Sequence, residues 1–324
     1  MVVMTALTIS ATACGGGGSG ANGKLQVVTT VSPITNMVAN VAGKFADVVG
    51  VVPEGTNSHT FEPAPSVAEL LSNADAIFVN GLRLEDPTYE LASKHRKDDA
   101  LLVKVGDNVL KEDQWLYDSS FPKKEGKPNP HLWTDPSLAS QYVGVIATAL
   151  STADPDHAVS FRANANAYRA RLGALDEAIR TATATIAPDK RKLLTYHDAY
   201  AYFARTYGWT VIGAIQVESF EDPTPKEVAD LIEQVKREGV PAIFGSEVFP
   251  SPVLEQIGRE AGVRYVDELR DDDLPGKPGD ADHSFLGLMR FDFVTMVEAL
   301  GGDASALKAL DVADIAKDNA RYPQ

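Results

Sequence analysis

Apolar residues stand at Ala158, Phe161, Ala165, Tyr168, Leu172, Leu175 and Ile179, alternating between steps of three and four. Only an α-helix brings positions at that spacing onto one face. The stripe begins after Asp154-Pro155, a cap and first-turn pair, and Pro188 ends it. The segment 154–188 is therefore expected to form one long helix. At about 1.5 Å per residue, roughly thirty residues reach about 45 Å, the span of a small protein. Such a connector is stiff, unlike a flexible hinge. The same stripe fits a lone coiled-coil arm, but apolar surface on both sides of it favours a helix packed along two lobes.

On either side, short β-branched runs alternate with helical patterns. Leu25 to Thr30, Asp47 to Val52, Ala76 to Asn80 and Leu101 to Val105 read as buried strands, with helices around Ile34 to Ala42 and Ser66 to Asn73. The rhythm recurs in Lys192 to Thr195, Thr210 to Ala214, Ala242 to Ser246 and Arg264 to Val266. Helices are expected between them at Ala199 to Tyr207, Pro225 to Glu238 and Val253 to Ala261, and another runs to Leu300. Thr224-Pro225-Lys226-Glu227 is a capping box with proline in the first turn. Strands alternating with helices make parallel sheets. The fold class is α/β: two parallel-sheet lobes, 24–153 and 189–324, linked by one long rigid backbone helix over 154–188.

With 30 basic and 45 acidic side chains the formal charge is −15 over 324 residues, so the chain offers no footprint for a phosphate backbone. No nucleic acid is expected as a partner. The single cysteine, Cys14, excludes both a disulfide framework and a thiolate metal cluster within one chain. Any metal site must use histidine and carboxylate.

The first 23 residues carry no charge; an apolar run leads to Ala11-Thr12-Ala13-Cys14 and then to a glycine and serine stretch. The run is too short to span a bilayer as a helix and reads as the apolar part of an export signal. Those four residues resemble the lipobox of bacterial lipoproteins. That resemblance implies lipidation of Cys14, a flexible tether over the rest of 1–23, and residence at the outer face of the cytoplasmic membrane. The alternative is a disordered N-terminus with an incidental cysteine.

Six histidines are the candidate metal ligands. His95 lies among Lys94, Arg96 and Lys97, where positive charge disfavours a cation, and reads as a solvated helix face. His157 opens the long helix on its solvent side, and His283 lies in the polar cap region of the helix running to Leu300. The remaining three sit in loops beyond strands or at a lobe edge. His59 stands in Gly55-Thr56-Asn57-Ser58-His59-Thr60-Phe61-Glu62-Pro63, His131 in Asn129-Pro130-His131-Leu132-Trp133-Thr134-Asp135-Pro136, and His197 in Tyr196-His197-Asp198. Ligands of open parallel sheets gather outside the carboxyl ends of the strands, and two such edges facing each other form a cleft. Asp267, directly after the last strand, reaches the same edge and would complete a site of three nitrogens and one oxygen, with Glu247 as the rival carboxylate.

The stretches Gly55 to Pro65, Asn129 to Pro136, Tyr196 to Gly208 and Val266 to Arg290 resemble the signature segments of the cluster A-I metal-binding proteins of ABC transporters. The resemblance runs from about Lys24 to Leu300. It implies the helical-backbone metal receptor fold, the metal ligands His59, His131, His197 and Asp267, and an ABC transporter permease as partner. Asp271, Asp272 and Asp273 follow closely enough to be alternative fourth ligands. The histidine-rich loop of many zinc-specific members is missing, since Glu112 to Pro130 contains no histidine.

Three imidazoles and one carboxylate suit Zn(II); Mn(II) prefers more oxygen. The expected function is therefore an extracytoplasmic, monomeric receptor that captures Zn(II) between its lobes and delivers it to a permease. A manganese or iron receptor and an adhesin-like surface lipoprotein are the alternatives. A zinc hydrolase ranks below them, because a filled four-ligand site leaves no open position for water. Capture is expected to weaken markedly between about pH 7.5 and about pH 5.5, as histidines of reference pKa near 6.5 take up protons and cease to ligate.

Overall fold

A computed structural model describes residues 23–214, 223–246, 252–270, 272–317 and 319–322, with the side chains of Asp267 and Glu268 outside the description. The first sheet comprises β1 (Leu25–Thr29), β2 (Ala46–Gly50), β3 (Ala76–Val79) and β4 (Leu101–Lys104), all parallel, in the order β2-β1-β3-β4. Helices α1 (Ser32–Ala42), α2 (Val67–Asn73) and α3 (Asp86–His95) make its crossovers. Every residue of β3 is buried, as a strand covered on both faces requires.

The second sheet repeats the pattern with β5 (Lys192–Thr195), β6 (Thr210–Ala214), β7 (Ala242–Ser246) and β8 (Arg264–Leu269), parallel in the order β6-β5-β7-β8. Between the sheets run α4 (Pro136–Ala153) and α5 (Ala158–Ala184); α6 (Ala201–Tyr207), α7 (Pro225–Glu238), α8 (Pro252–Ala261), α9 (Phe285–Ala299) and α10 (Ser305–Lys308) follow. The two-lobed α/β architecture with a long linking helix is the one expected. The stripe residues Phe161, Ala165, Tyr168, Leu172, Leu175 and Ile179 are all buried on α5, which packs on α1, α4, α6, α9 and α10 and so touches both lobes. Its first turn is displaced: Asp154 caps a short 3-10 turn, Pro155–His157, and the α-helix starts only at Ala158.

Four local features differ from the sequence reading. The 18-residue α4 was not anticipated, although Asp135 accepts from Ser137 N at its start and Pro136 opens it. Strand β8 continues to Leu269, so Asp267 lies inside the strand instead of directly after it. His157 is half-buried, its ring 4.1 Å from that of Phe45 and its Nδ1 2.6 Å from Asp154 Oδ2. His283 is buried rather than part of a polar cap: its Nδ1 donates to Pro275 O at 3.2 Å and its Nε2 faces Glu54 Oε1 at 3.7 Å.

Among the described residues the lobes do not have separate cores. One continuous apolar cluster joins the first sheet, α1, α4, α5, α6 and α9. A smaller one, built from Leu194, Tyr196, Leu231, Ile232, Val235, Val240, Ile243, Leu254 and Ile257, lies under α7 and α8. Strand alternation explains the division: Leu193, Ala242 and Phe244 face the large cluster, while Leu194 and Ile243 face the small one.

The tail then returns to the first lobe. Asn40 Nδ2 donates to Asp314 Oδ1 at 2.7 Å, and Arg321 pairs in parallel with β2 through Arg321 N to Val48 O at 2.9 Å and Gly50 N to Arg321 O at 3.0 Å. Asn36 of α1 accepts from Phe285 N at the start of α9 at 3.0 Å, a further bond between lobes.

Candidate metal centre

His59, His131 and His197 arrive from three segments and meet at one point. The loop after β2 carries His59, with Asn57 Oδ1 accepting from His59 N at 2.9 Å to form a tight turn. His197 leaves the end of β5, where the order of the second sheet reverses, and Thr195 Oγ1 donates to its carbonyl at 2.6 Å. His131 sits just before α4, and the single hydroxyl proton of Thr134 is shared between His131 O and Ala199 O, each 2.9 Å from Oγ1, which bridges the two lobes.

The three Nε2 atoms form a triangle with sides of 3.1 Å (His59 to His131), 3.1 Å (His59 to His197) and 2.9 Å (His131 to His197). Such a triangle lets a single ion at about 2.0 to 2.2 Å touch all three. Among the described residues this is the one histidine and carboxylate group with that convergence. His131 and His197 are buried and His59 is half-buried; the Phe121 ring lies 5.5 Å from His59 and 5.8 Å from His131, with Trp133 5.1 Å behind His131.

Burial sets the electrostatics. It holds the His59 and His131 pKa values well below the ordinary imidazole range, reinforced for each by His197, and it lowers that of His197 to about 4. All three rings are therefore neutral at pH 7, with lone pairs available to a cation. The pH window expected from unperturbed imidazoles is corrected accordingly: proton competition for His197 sets in nearer pH 4 than pH 6.5.

Of the expected carboxylates, Glu247, Asp271 and the side chain of Asp267 lie outside the described residues, as does Cys14. Asp272 is described: Ser58, adjacent to His59, donates its hydroxyl to Asp272 Oδ2, while Asp272 Oδ1 is buried with no hydrogen-bond partner among the described residues. Burial raises its pKa to about 7. Asp273 Oδ2 accepts from Gly55 N at 2.6 Å, tying the His59 loop to the second lobe.

Sequence reasoning missed the polar residues behind the triad. Glu85, whose pKa burial lifts to about 7, accepts from Thr30 Oγ1 at 2.7 Å and from Asn80 N at 2.6 Å. Asn80 Nδ2 in turn donates to Pro130 O at 3.0 Å, holding the residue before His131. Asn129 holds the His131 ring itself, with Oδ1 2.9 Å from His131 Nδ1. The Asn129-Pro130-His131 sequence was a usable signal for that contact, whereas nothing local links Asn80 or Glu85 to a histidine some fifty residues away.

Two facing sheet edges, a stiff connector and a buried nitrogen triad define a metal-binding receptor. The family model described as zinc-uptake complex component A, periplasmic, matches residues 27–299, and the chain belongs to that family. It is a metal-binding substrate-binding protein of an ABC importer and not an enzyme. The chain is 29% identical over 302 residues to the manganese-binding lipoprotein MntA of Halalkalibacterium halodurans, covering 92% of this chain and 97% of that protein. It is 30% identical to the iron ABC transporter substrate-binding lipoprotein MtsA of Streptococcus pyogenes, covering 86% and 89% respectively. Among solved structures, the periplasmic zinc binding protein TroA of Treponema pallidum superposes with a TM-score of 0.77 at 28% identity, over 86% of this chain and 99% of that one. Among the described residues no helix is long and apolar enough to cross a membrane.

Proposed function

We propose that the protein captures Zn(II) outside the membrane on the Nε2 atoms of His59, His131 and His197 and hands it to the permease of its importer. The convergence of those three nitrogens within 3.1 Å of one another carries the reading. A nitrogen-rich, buried set suits zinc better than manganese. A carboxylate from the 267–273 segment completes the site. The family resemblance selects Asp267. Asp272 is its rival: its Oδ1 is buried with no hydrogen-bond partner among the described residues and its Oδ2 accepts from Ser58, the neighbour of His59, but its carboxylate stands outside the 4.8 Å convergence of the three imidazoles. Lipidation at Cys14 would hold the monomeric receptor beside the permease.

Manganese or iron is the second reading, favoured by the names of the relatives MntA and MtsA. Calorimetric titration of chelator-stripped protein with Zn(II), Mn(II) and Fe(II), run also on H59A, H131A, H197A, D267N and D272N, tests both. Tight one-to-one binding, lost in the histidine variants and tightest for zinc, is the expected result. Tighter manganese or iron than zinc replaces the first reading with the second, and binding that survives all three histidine changes removes the site.

A further inference from the structure

Asn129 is fully buried, and both ends of its amide are engaged. Nδ2 lies 2.9 Å from Asp118 Oδ2 and 2.8 Å from the backbone carbonyl of Asp198. A peptide carbonyl can only accept, so the end of the amide facing it must be the NH2 group. Oδ1 then faces His131, accepting from its backbone N at 3.1 Å and lying 2.9 Å from its ring Nδ1. An amide oxygen has no proton to give, so the ring must donate through Nδ1.

We infer that Asn129 is a positioning residue that fixes His131 as the Nδ1–H tautomer, so that its Nε2 presents a bare lone pair to the triad before a metal arrives. A neutral imidazole carries one N–H, and here that proton is committed on the far side of the ring. The inference rests on the metal-receptor reading for its purpose, but its structural content stands without a metal. Asn129 also links the two lobes. Asp118 belongs to the loop that carries Phe121, Asp198 follows His197, and the Asn129 carbonyl accepts from Tyr202 Oη at 3.1 Å on α6. One amide therefore sets both the protonation pattern of His131 and its place relative to His197. Outer partners of ligating histidines do this work in metal proteins and change affinity by about 10- to 100-fold.

The test is long-range 1H–15N correlation of the histidine rings in metal-free, 15N-labelled protein near pH 7, with His131 assigned by its loss in H131Q. The expected spectrum shows His131 protonated at Nδ1 and bare at Nε2. Asn129→Leu, which offers no acceptor, should release the ring into a mixture of tautomers and weaken Zn(II) binding by about 10- to 100-fold in chelator competition. Asn129→Asp, which still accepts, should keep the Nδ1–H tautomer. A wild-type ring protonated at Nε2 overturns the inference. So does an Asn129→Leu variant whose tautomer is unchanged, because an affinity loss without a tautomer change marks a purely structural role. If Asn129→Leu fails to fold, the wild-type spectrum alone decides. If the wild type binds none of the metals, the proposed function fails while the ring spectrum still judges Asn129.

Discussion

Replacing His197 by glutamine should make the metal-free protein less sensitive to acid. In the folded chain burial lowers the His197 pKa from 6.5 to about 4, whereas in the unfolded chain the ring is hydrated and ordinary. Below pH 6.5 the unfolded state therefore binds a proton that the native state refuses. Stability is fully present above the unfolded pKa and is lost as pH falls through the folded one. Working the linkage for this single ring, going from pH 7 to pH 4.5 removes roughly 2 kcal/mol from the native state. At a urea dependence of about 2 to 3 kcal/mol per molar, that is about 1 M in the unfolding midpoint. The assay is urea unfolding followed by circular dichroism, with chelator present, at both pH values, for wild type and His197→Gln. Carboxylates elsewhere tilt both curves equally, so the difference reads His197 together with the depression it imposes on His59 and His131. Parallel pH dependence in the two proteins would refute the reasoning, since it would mean that His197 is as easily protonated folded as unfolded.

The same burial predicts that metal affinity stays nearly flat from pH 7.5 to about 5.5 and collapses toward pH 4, measurable by competition with a chelator of known proton dependence; a midpoint near pH 6.5 contradicts it. Glu85→Gln removes a carboxyl whose folded pKa is raised to about 7, a group that favours the native state at low pH and loses that contribution as pH rises. Between about pH 5 and about pH 8.5 wild type should thus lose about 2 kcal/mol more than Glu85→Gln in chemical denaturation. Ending the chain after Gly302 exposes the sites of the buried Leu307 and Val312, at about 1.5 to 3 kcal/mol each, and should lower the thermal midpoint by several degrees or more. An unchanged midpoint would show that the tail adds nothing.

The parts legible in the sequence are those decided by local pattern. The steps of three and four from Ala158 to Ile179 specify α5 because burial of that stripe needs no knowledge of its partners. The capping box at Thr224 is present with Glu227 N donating back to Thr224 Oγ1 at 3.4 Å, again a four-residue matter. Helix α4 was as legible in principle: Leu138, Ala139, Tyr142, Val143, Ile146, Ala147 and Leu150 are buried at helical spacing behind an aspartate cap. Its start is masked in the sequence because Asp135-Pro136 serves at once as the end of the His131 motif and as the cap and first turn of the helix. The length of β8 was not legible, because pairing with β7 through a shifted register, Ser246 opposite Leu269, carries the strand past Val266. The burial of His283 was hidden for a similar reason, since Glu54 and the Tyr322 ring 5.2 Å away come from opposite ends of the chain. At the site, the three loop histidines were legible by residue type and place, while the amides that aim them depend on contacts between segments.

The returning tail changes what kind of object the second lobe is. Leu25 pairs with Ala46 at one end of the outer strand, and Arg321 lies beside Val49 on that strand's free side, so the described chain starts and finishes in the same sheet. The second lobe is an excursion from the first, leaving through α5 and coming back through α9 and α10. Because residues of both sheets bury into one apolar cluster, and Asn129 and Thr134 bond to the carbonyls of Asp198 and Ala199, the first lobe's own packing sets where the His197 edge stands relative to His131.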